Sequence, residues 1–245
     1  DILSATMTSL AGKLHQKMQS TISACAVEAA EAIAMESDGN VVADPTRVKV
    51  ITRTGPALEE SKLITGLALS KKRAHVEMPS SLGAGSVLLV DGGLELRSLS
   101  TDVQLNVTST SVLQSFRDAE QQRLLDQVKM LVDLDVTLLA CREGIDDSMH
   151  AHLAEAGIKA FRRVAKSDLE LLARGCGARL VPSIHQAKKK DVGVFISSKC
   201  ERWGDVDHWI LETDEGGATF VATGSYESVF GDVERCFADA LGVAC

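Results

Sequence analysis

From Val136 to Val181 the chain switches back and forth between two hydrophobic periods, and this alternation limits its fold more than any other feature. VTLLAC (136–141) reads as a strand, DDSMHAHLAEAG as a helix, IKAFRRV as a strand, KSDLELLARGCG as a helix and ARLV as a strand. Two strand-helix-strand units in succession require parallel strands covered by helices. Upstream, Leu113, Phe116, Leu124, Leu125, Val128 and Leu131 recur at helical spacing and predict a long helix entered near Ser111. Before it come short β-type runs, LITGLAL, SVLLVDGGL and DVQLNV, separated by turns at MPSSLGAG and DGG. VKVITRTG reads as a strand that runs into Gly55-Pro56, and ESDGN (36–40) reads as a loop. A less regular β region, 192–222, precedes the C-terminal segment.

Both ends are helical. Ile2 to about Met35 predicts two helices separated at Ser9–Lys13, where Gly12 interrupts MTSLAGK. GDVERCFADALG (231–242) is amphipathic, with Val233, Cys236, Phe237 and Ala240, and Val229 just before it, on one face and Asp232, Arg235 and Asp239 flanking it. Helical ends around a β-rich body predict a mixed α/β chain whose body is inserted into a domain built from the two ends.

Composition narrows the function classes. The 245 residues are 45% hydrophobic and 24% charged, with mean hydropathy near zero, as expected of a globular protein that needs no disulfides to fold. A formal charge of −8 and one Tyr with two Trp disfavour a grip on nucleic acid, which needs clustered cations or stacking aromatics. Six cysteines without CxxC pairing point to a cytoplasmic chain with neither a zinc ribbon nor a disulfide framework. No apolar run is long enough to span a membrane and no signal peptide is visible. The first residue is Asp1 rather than Met, which suggests a fragment.

Local chemistry is sparse. Cys141, His150 and His152 invite a metal reading, but two helical residues at i and i+2 point about 200° apart and cannot share an ion unaided. Gly83, Gly85, Gly92 and Gly93 form neither GxGxxG nor GxxxxGK[ST] and read as turns, and no GxSxG, HExxH or EF-hand pattern occurs. Lys188–Lys190, with His185 before it, reads as a solvated loop, and Ser167-Asp168 as a helix start. By charge pairing alone, Asp239 is a solvated neighbour of Arg235, four residues earlier.

Taken in order, MTSLAGK, LQSFRDAEQQRLLDQV, the run CREGIDDSMHAHLAEAGIKAFRRVAKSDLELLARGCGARLV and GDVERCFADALGV resemble the group II chaperonins, the archaeal thermosome and its eukaryotic cytosolic relatives. The similarity covers essentially the whole chain. It implies an apical, polypeptide-binding domain (65–215) with a helical protrusion at about 108–132, inserted into a two-segment intermediate domain (1–64 and 216–245). An equatorial, ATP-binding domain would be absent.

The same resemblance implies roles for individual residues. Lys13, beside Gly12, matches a lysine that senses the γ-phosphate of ATP, and Asp239 matches the aspartate that positions the water for ATP hydrolysis. Client contacts are implied at Val112, Leu113, Phe116, Leu124 and Leu125 of the protrusion, at Asp146, His150, Leu153 and Glu155 of the next helix, and at Met78 and Leu82 of a nearby loop. ATP and Mg²⁺ would act only in a full-length subunit, which would hydrolyse ATP, whereas this chain alone would not. The partners implied are unfolded polypeptides and, at full length, sister subunits of a homo- or hetero-oligomeric double ring, without nucleic acid or membrane. Two positions depart from the family pattern: Gly55-Pro56-Ala57 stands where relatives carry Gly-Gly-Ser, and Ala222-Thr223-Gly224 where they carry Arg-Gly-Gly. A stand-alone polypeptide-binding module without ring assembly is the alternative reading, and an unrelated small-molecule α/β enzyme would need a convergent polar pocket that these residues do not supply.

Overall fold

The computed structural model describes residues 2–37, 40–55, 57, 60–94, 110–214, 217–224 and 227–245. In chain order it runs through helices α1 (Ile2–Ser9) and α2 (Gln16–Ile33), then strands β1 (Ala34–Ser37), β2 (Asn40–Ala43), β3 (Val48–Thr54), β4 (Lys62–Thr65), β5 (Leu67–Leu69), β6 (Ser81–Leu82) and β7 (Gly85–Val90). There follow α3 (Thr110–Asp133), β8 (Leu138–Cys141), α4 (Asp147–Glu155), β9 (Lys159–Phe161), α5 (Lys166–Cys176), β10 (Leu180–Val181), β11 (Gly193–Phe195), β12 (Ser197–Trp203), β13 (Val206–Glu212), β14 (Ala218–Gly224) and α6 (Glu227–Ala244). The chain divides into two compact units. One holds Asp1–Lys72, Arg174–Cys176 and Phe195–Cys245, the other Arg73–Ala173 and Gly177–Val194.

In the first unit the two ends of the chain meet in one sheet. β14 lies between β3, parallel across the seven pairs from Ala218–Val48 to Gly224–Thr54, and β4, antiparallel. Every residue of β14 is buried, and its two faces serve different neighbours. Ala218, Phe220 and Ala222 pack with Ile22, Ala26, Ala29 and Ile33 of α2 and with Val233, Phe237 and Ala240 of α6. Phe220 and Phe237 stack with centroids 4.0 Å apart, and burying each ring contributes about 1.5–3 kcal/mol. Val221, on the opposite face, joins Ile51, Ala68, Trp203 and Ile210, so this sheet packs on a second one formed by β5, β13 and β12.

The chain passes from the first sheet to the second at Gly66. Its φ of +107° is a glycine conformation, and a Cβ there would lie 2.1 Å from the Leu211 carbonyl oxygen. Thr219 secures the step: its hydroxyl donates to the Gly66 carbonyl and accepts from the Ala68 amide, both at 3.0 Å and buried. Thr219 thus satisfies backbone groups that the break in pairing would otherwise leave unpaired.

The second unit carries the parallel sheet that the alternation predicts. Its order is β10-β7-β8-β9, with β7–β8, β8–β9 and β10–β7 all parallel. The chain therefore steps from β7 to β8 to β9 and then crosses back to the far side of β7, a reversal that the sequence does not encode locally. Leu124, Val128 and Leu131 of α3 pack with Met149 and Leu153 of α4 and with Leu88, Val90, Leu139 and Cys141 of the strands. Ser86 and Thr137 clamp the start of the β7–β8 pair, the threonine hydroxyl accepting from the Ser86 amide and donating to its carbonyl, each at 3.0 Å.

One local expectation shifts. The segment read as the loop ESDGN contributes Glu36 and Ser37 to β1 and Asn40 to β2, an antiparallel pair whose register matches Ala34 with Ala43. The Asp-Gly dipeptide between them is the hairpin signal that marks it. Ser167 and Asp168 mark a helix start as expected: α5 begins at Lys166, and both residues lie in its first turn, after Ala165, which gives no side-chain cap. The expected strand DVQLNV and Pro56 lie outside the described residues.

His208 reports on the first unit. It stacks on Trp203 at 4.3 Å, its Nδ1 donates to the Val206 carbonyl at 3.1 Å, and its Nε2 therefore accepts from Ser70 Oγ at 3.2 Å. Burial pushes its pKa below the usual histidine value, so the unfolded chain binds the proton more tightly. Stability should accordingly be complete above the ordinary value of 6.5 and fall as pH drops below it, and His208→Gln should flatten that slope in urea titrations followed by tryptophan fluorescence. Thr219→Val should cost about 2–4 kcal/mol in the same assay, because it orphans two buried backbone groups at nearly constant volume.

Candidate functional site

α1 ends at Ser9 and the chain turns through Leu10–Leu14 before α2 begins. Leu10, fully buried, pins the turn from beneath, and the Lys13 amide donates back to the Leu10 carbonyl at 3.1 Å. Gly12 supplies the φ of +78° that the turn requires. Lys13 is thereby carried on a short, fixed loop beside α6. That helix buries Val233, Cys236, Phe237, Ala240 and Leu241 and leaves Asp239 on its outer flank.

The two residues meet there. Lys13 Nζ donates to Asp239 Oδ2 at 2.7 Å across 226 positions of sequence. The expectation that Asp239 neighbours Arg235 is not met: Arg235 Nη2 bonds Asp232 Oδ1, and its Nε donates to the Gly231 carbonyl. The hydrogen bond to Asp239 and its negative charge raise the Lys13 pKa, so the amine stays an ammonium throughout the working range. Cys236, one turn before Asp239, is buried, and burial pushes its thiol up while the Lys13 charge partly opposes this.

The Lys13 and Asp239 side chains are 47% and 54% exposed. An ion pair so exposed adds little to stability, since solvent screens it and two side chains must be ordered to form it. Apolar packing, not this pair, holds α1, α2 and α6 together. The ammonium can exchange the carboxylate for another anion and the carboxylate can hold a water, with no buried charge created in either exchange. Among the described residues no three His, Cys, Asp or Glu side chains gather to hold a metal. The pair thus places one cation and one carboxylate side by side at an exposed position, both open to exchange.

The residues implied as client contacts lie in the second unit and fare unequally. Met78, Leu124 and Leu153 are 1%, 4% and 0% exposed and belong to its core, so as placed they offer no open surface. In α3 and α4 the helical spacing of Leu124 and Leu153 marks the buried side. His150 is also buried, at 4%. Asp146 is the N-cap of α4, accepting from the Ser148 amide at 3.0 Å and the Ser148 hydroxyl at 2.6 Å, and these bonds, the hydroxyl first, lower its pKa. Such a cap contributes about 1 kcal/mol to the helix.

Leu125 is 40% exposed, Leu82 is half-buried, and Glu155 is exposed beside His152, 3.8 Å away. Val112, Leu113 and Phe116 fall in the first turns of α3, outside the residues whose side chains are described, and 108–109 lie outside the described residues altogether. Sequence reasoning missed Lys159, fully buried in β9, whose ammonium donates to the Ser80 carbonyl at 3.0 Å. It also missed His75, whose ring lies 6.0 Å from that of His150. The inward place of Lys159 in IKAF was a readable signal, whereas His75 sits in a stretch with no period at all.

The TCP-1/cpn60 chaperonin family matches residues 1–245. The thermosome subunit beta of Methanothermobacter thermautotrophicus is 32% identical over 244 residues, which are 99% of this chain and 45% of that one. The thermosome subunit of Methanocaldococcus jannaschii is 33% identical over 239 residues, covering 97% and 44%. The open-state monomer of a group II chaperonin from Methanococcoides burtonii superposes with a TM-score of 0.77 at 23% identity, over 99% of this chain and 55% of that one. The chain thus spans less than half the length of these two thermosome subunits. It belongs to the TCP-1/cpn60 chaperonin family and has the fold of a group II subunit over the span it covers.

Proposed function

We propose that this chain is the polypeptide-binding and hinge portion of an ATP-driven group II chaperonin subunit that works in the cytoplasm. Residues 1–64 and 216–245 then act as the intermediate domain. Residues 65–215 act as the apical domain, with α3 in the protrusion at about 108–132 that closes over the ring cavity. The observation that carries the reading is the Lys13–Asp239 pair at 2.7 Å, which joins the two residues implied in nucleotide chemistry from opposite ends of the chain.

ATP, when bound by an equatorial domain with Mg²⁺, supplies the phosphoanhydride bond. Lys13 would offer its ammonium to the terminal phosphate and release Asp239 in doing so. Asp239 would then accept a hydrogen bond from a water and hold it in line for attack, a role in which position counts for more than basicity. Loss of the phosphate would return Lys13 to Asp239. Leu82, Leu125 and Glu155 provide mixed apolar and polar contacts suited to many weakly bound unfolded clients. Sister subunits of a double ring are the partners of the full-length protein.

The test has two arms. The 245-residue chain should suppress aggregation of a chemically unfolded client without hydrolysing ATP, and turnover by this chain alone would refute the reading. In a chain extended to include the equatorial portion, Asp239→Ala should slow hydrolysis about 10²-fold or more while nucleotide affinity stays nearly unchanged. Unaltered turnover would reject the role given to Asp239.

A further inference from the structure

The segment Arg73–Ser80 has no regular structure of its own, yet it covers the outer side of β9, the edge strand of the parallel sheet. Three bonds hold it to β9 and a fourth closes it on itself. The Ala74 amide donates to the Ala160 carbonyl at 2.8 Å, the Ala160 amide donates to Met78 Sδ at 3.4 Å, Lys159 Nζ donates to the Ser80 carbonyl at 3.0 Å, and Arg73 Nη1 closes the segment on the Met78 carbonyl at 2.7 Å. Beneath it Met78 joins the core that includes Leu153 and Ile158.

Two imidazoles face each other at this junction. The ring of His75, from the segment, lies 6.0 Å from the ring of His150, from α4, at an interplanar angle of 32°. His75 Nδ1 accepts from the Glu77 amide at 3.3 Å, which fixes its proton on Nε2 while the ring is neutral. The Glu77 carboxylate waits 3.8 Å from the same nitrogen. Uptake of a proton at Nδ1 therefore ends the bond from the amide and draws the carboxylate in, which reshapes the turn 75–77.

His150 is 4% exposed and its Nε2 is buried without a hydrogen-bond partner. Its Nδ1 lies 3.5 Å from Asp147 Oδ1, an oxygen already 3.4 Å from Arg162 Nη1, and Asp146 is the remaining charge facing it from its own helix. Burial, with Arg162 and His75 adding to it, holds the His150 pKa below the usual value, against the opposing pull of Asp147 and Asp146. A second positive charge in this space meets Arg162 and its partner imidazole with one carboxylate oxygen already shared.

We propose that His75 and His150 form a proton-operated clasp: when both rings take protons, Arg73–Ser80 lifts from β9 and α4 and uncovers the apolar surface around Met78 and Leu153. That surface would add to polypeptide binding under mild acidification, a consequence that rests on the function proposed above. The clasp itself does not.

Hydrogen exchange of the 245-residue chain, corrected for intrinsic rates and compared at about pH 7.5 and about pH 5.5, tests the clasp across the range in which histidine changes charge. The Ala74 and Ala160 amides should lose protection about tenfold or more at the lower pH while Leu88 and Leu139 of the central strands stay protected. His75→Gln, at a half-exposed position, should suppress that loss, and His150→Phe should suppress it as well. Equal protection at both pH values, or the same loss in both variants, overturns the proposal. Binding of a reduced, carboxymethylated unfolded protein, measured on the same samples, separates the two readings: opening without a gain in binding refutes the polypeptide-binding consequence and leaves the clasp standing.

Discussion

The seven-residue parallel register between β3 and β14 is the constraint on which the rest of the first unit depends. It joins Val48–Thr54 to Ala218–Gly224, so two stretches far apart in sequence become neighbours 4.8 Å or so apart, the spacing of paired strands. Because β14 is buried on both faces, it places α2 and α6 on one side and the β5-β13-β12 sheet on the other. The Lys13–Asp239 contact follows from that arrangement. Neither residue creates it, since an exposed ion pair is too weak to organise two helices.

Two departures from the family pattern, Ala222 and Thr223, sit in this same register. Thr223 packs its methyl group into the space above Gly55, where any added Cβ would lie 2.4 Å away, and its amide donates to Ser61 Oγ. Gly224 faces the Phe230 ring, which an added Cβ would meet at 3.1 Å. A side chain at Gly55 and the β-branched residue at Thr223 cannot both be accommodated, so the two positions are coupled across the strand pair.

The parallel sheet was legible because its strands and helices differ in period, and VTLLAC, IKAF and ARLV are short, apolar and bounded by helices. The return of β10 to the far side of β7 was not, because it depends on which strand edge is free rather than on any residue in the strand. The family resemblance implied Leu124 and Leu153 as client contacts, but a match in sequence does not say which side of a helix is covered; both are core, while Leu125 and Glu155 are outward. Asp239 shows the opposite limit. Its nearest cation by sequence is Arg235 and its partner in space is Lys13, so a local pairing rule selects the wrong residue wherever tertiary contacts bring in a second cation.

Lys13 and Asp239, from opposite ends of the chain, form one exchangeable ion pair. Nitrogen-15 NMR of the lysine side chains measures it directly. The Lys13 ammonium should titrate above the other exposed lysines, and Asp239→Asn should return it to their range without altering the amide spectrum of α2 or β14. A Lys13 titration indifferent to Asp239→Asn would contradict the account.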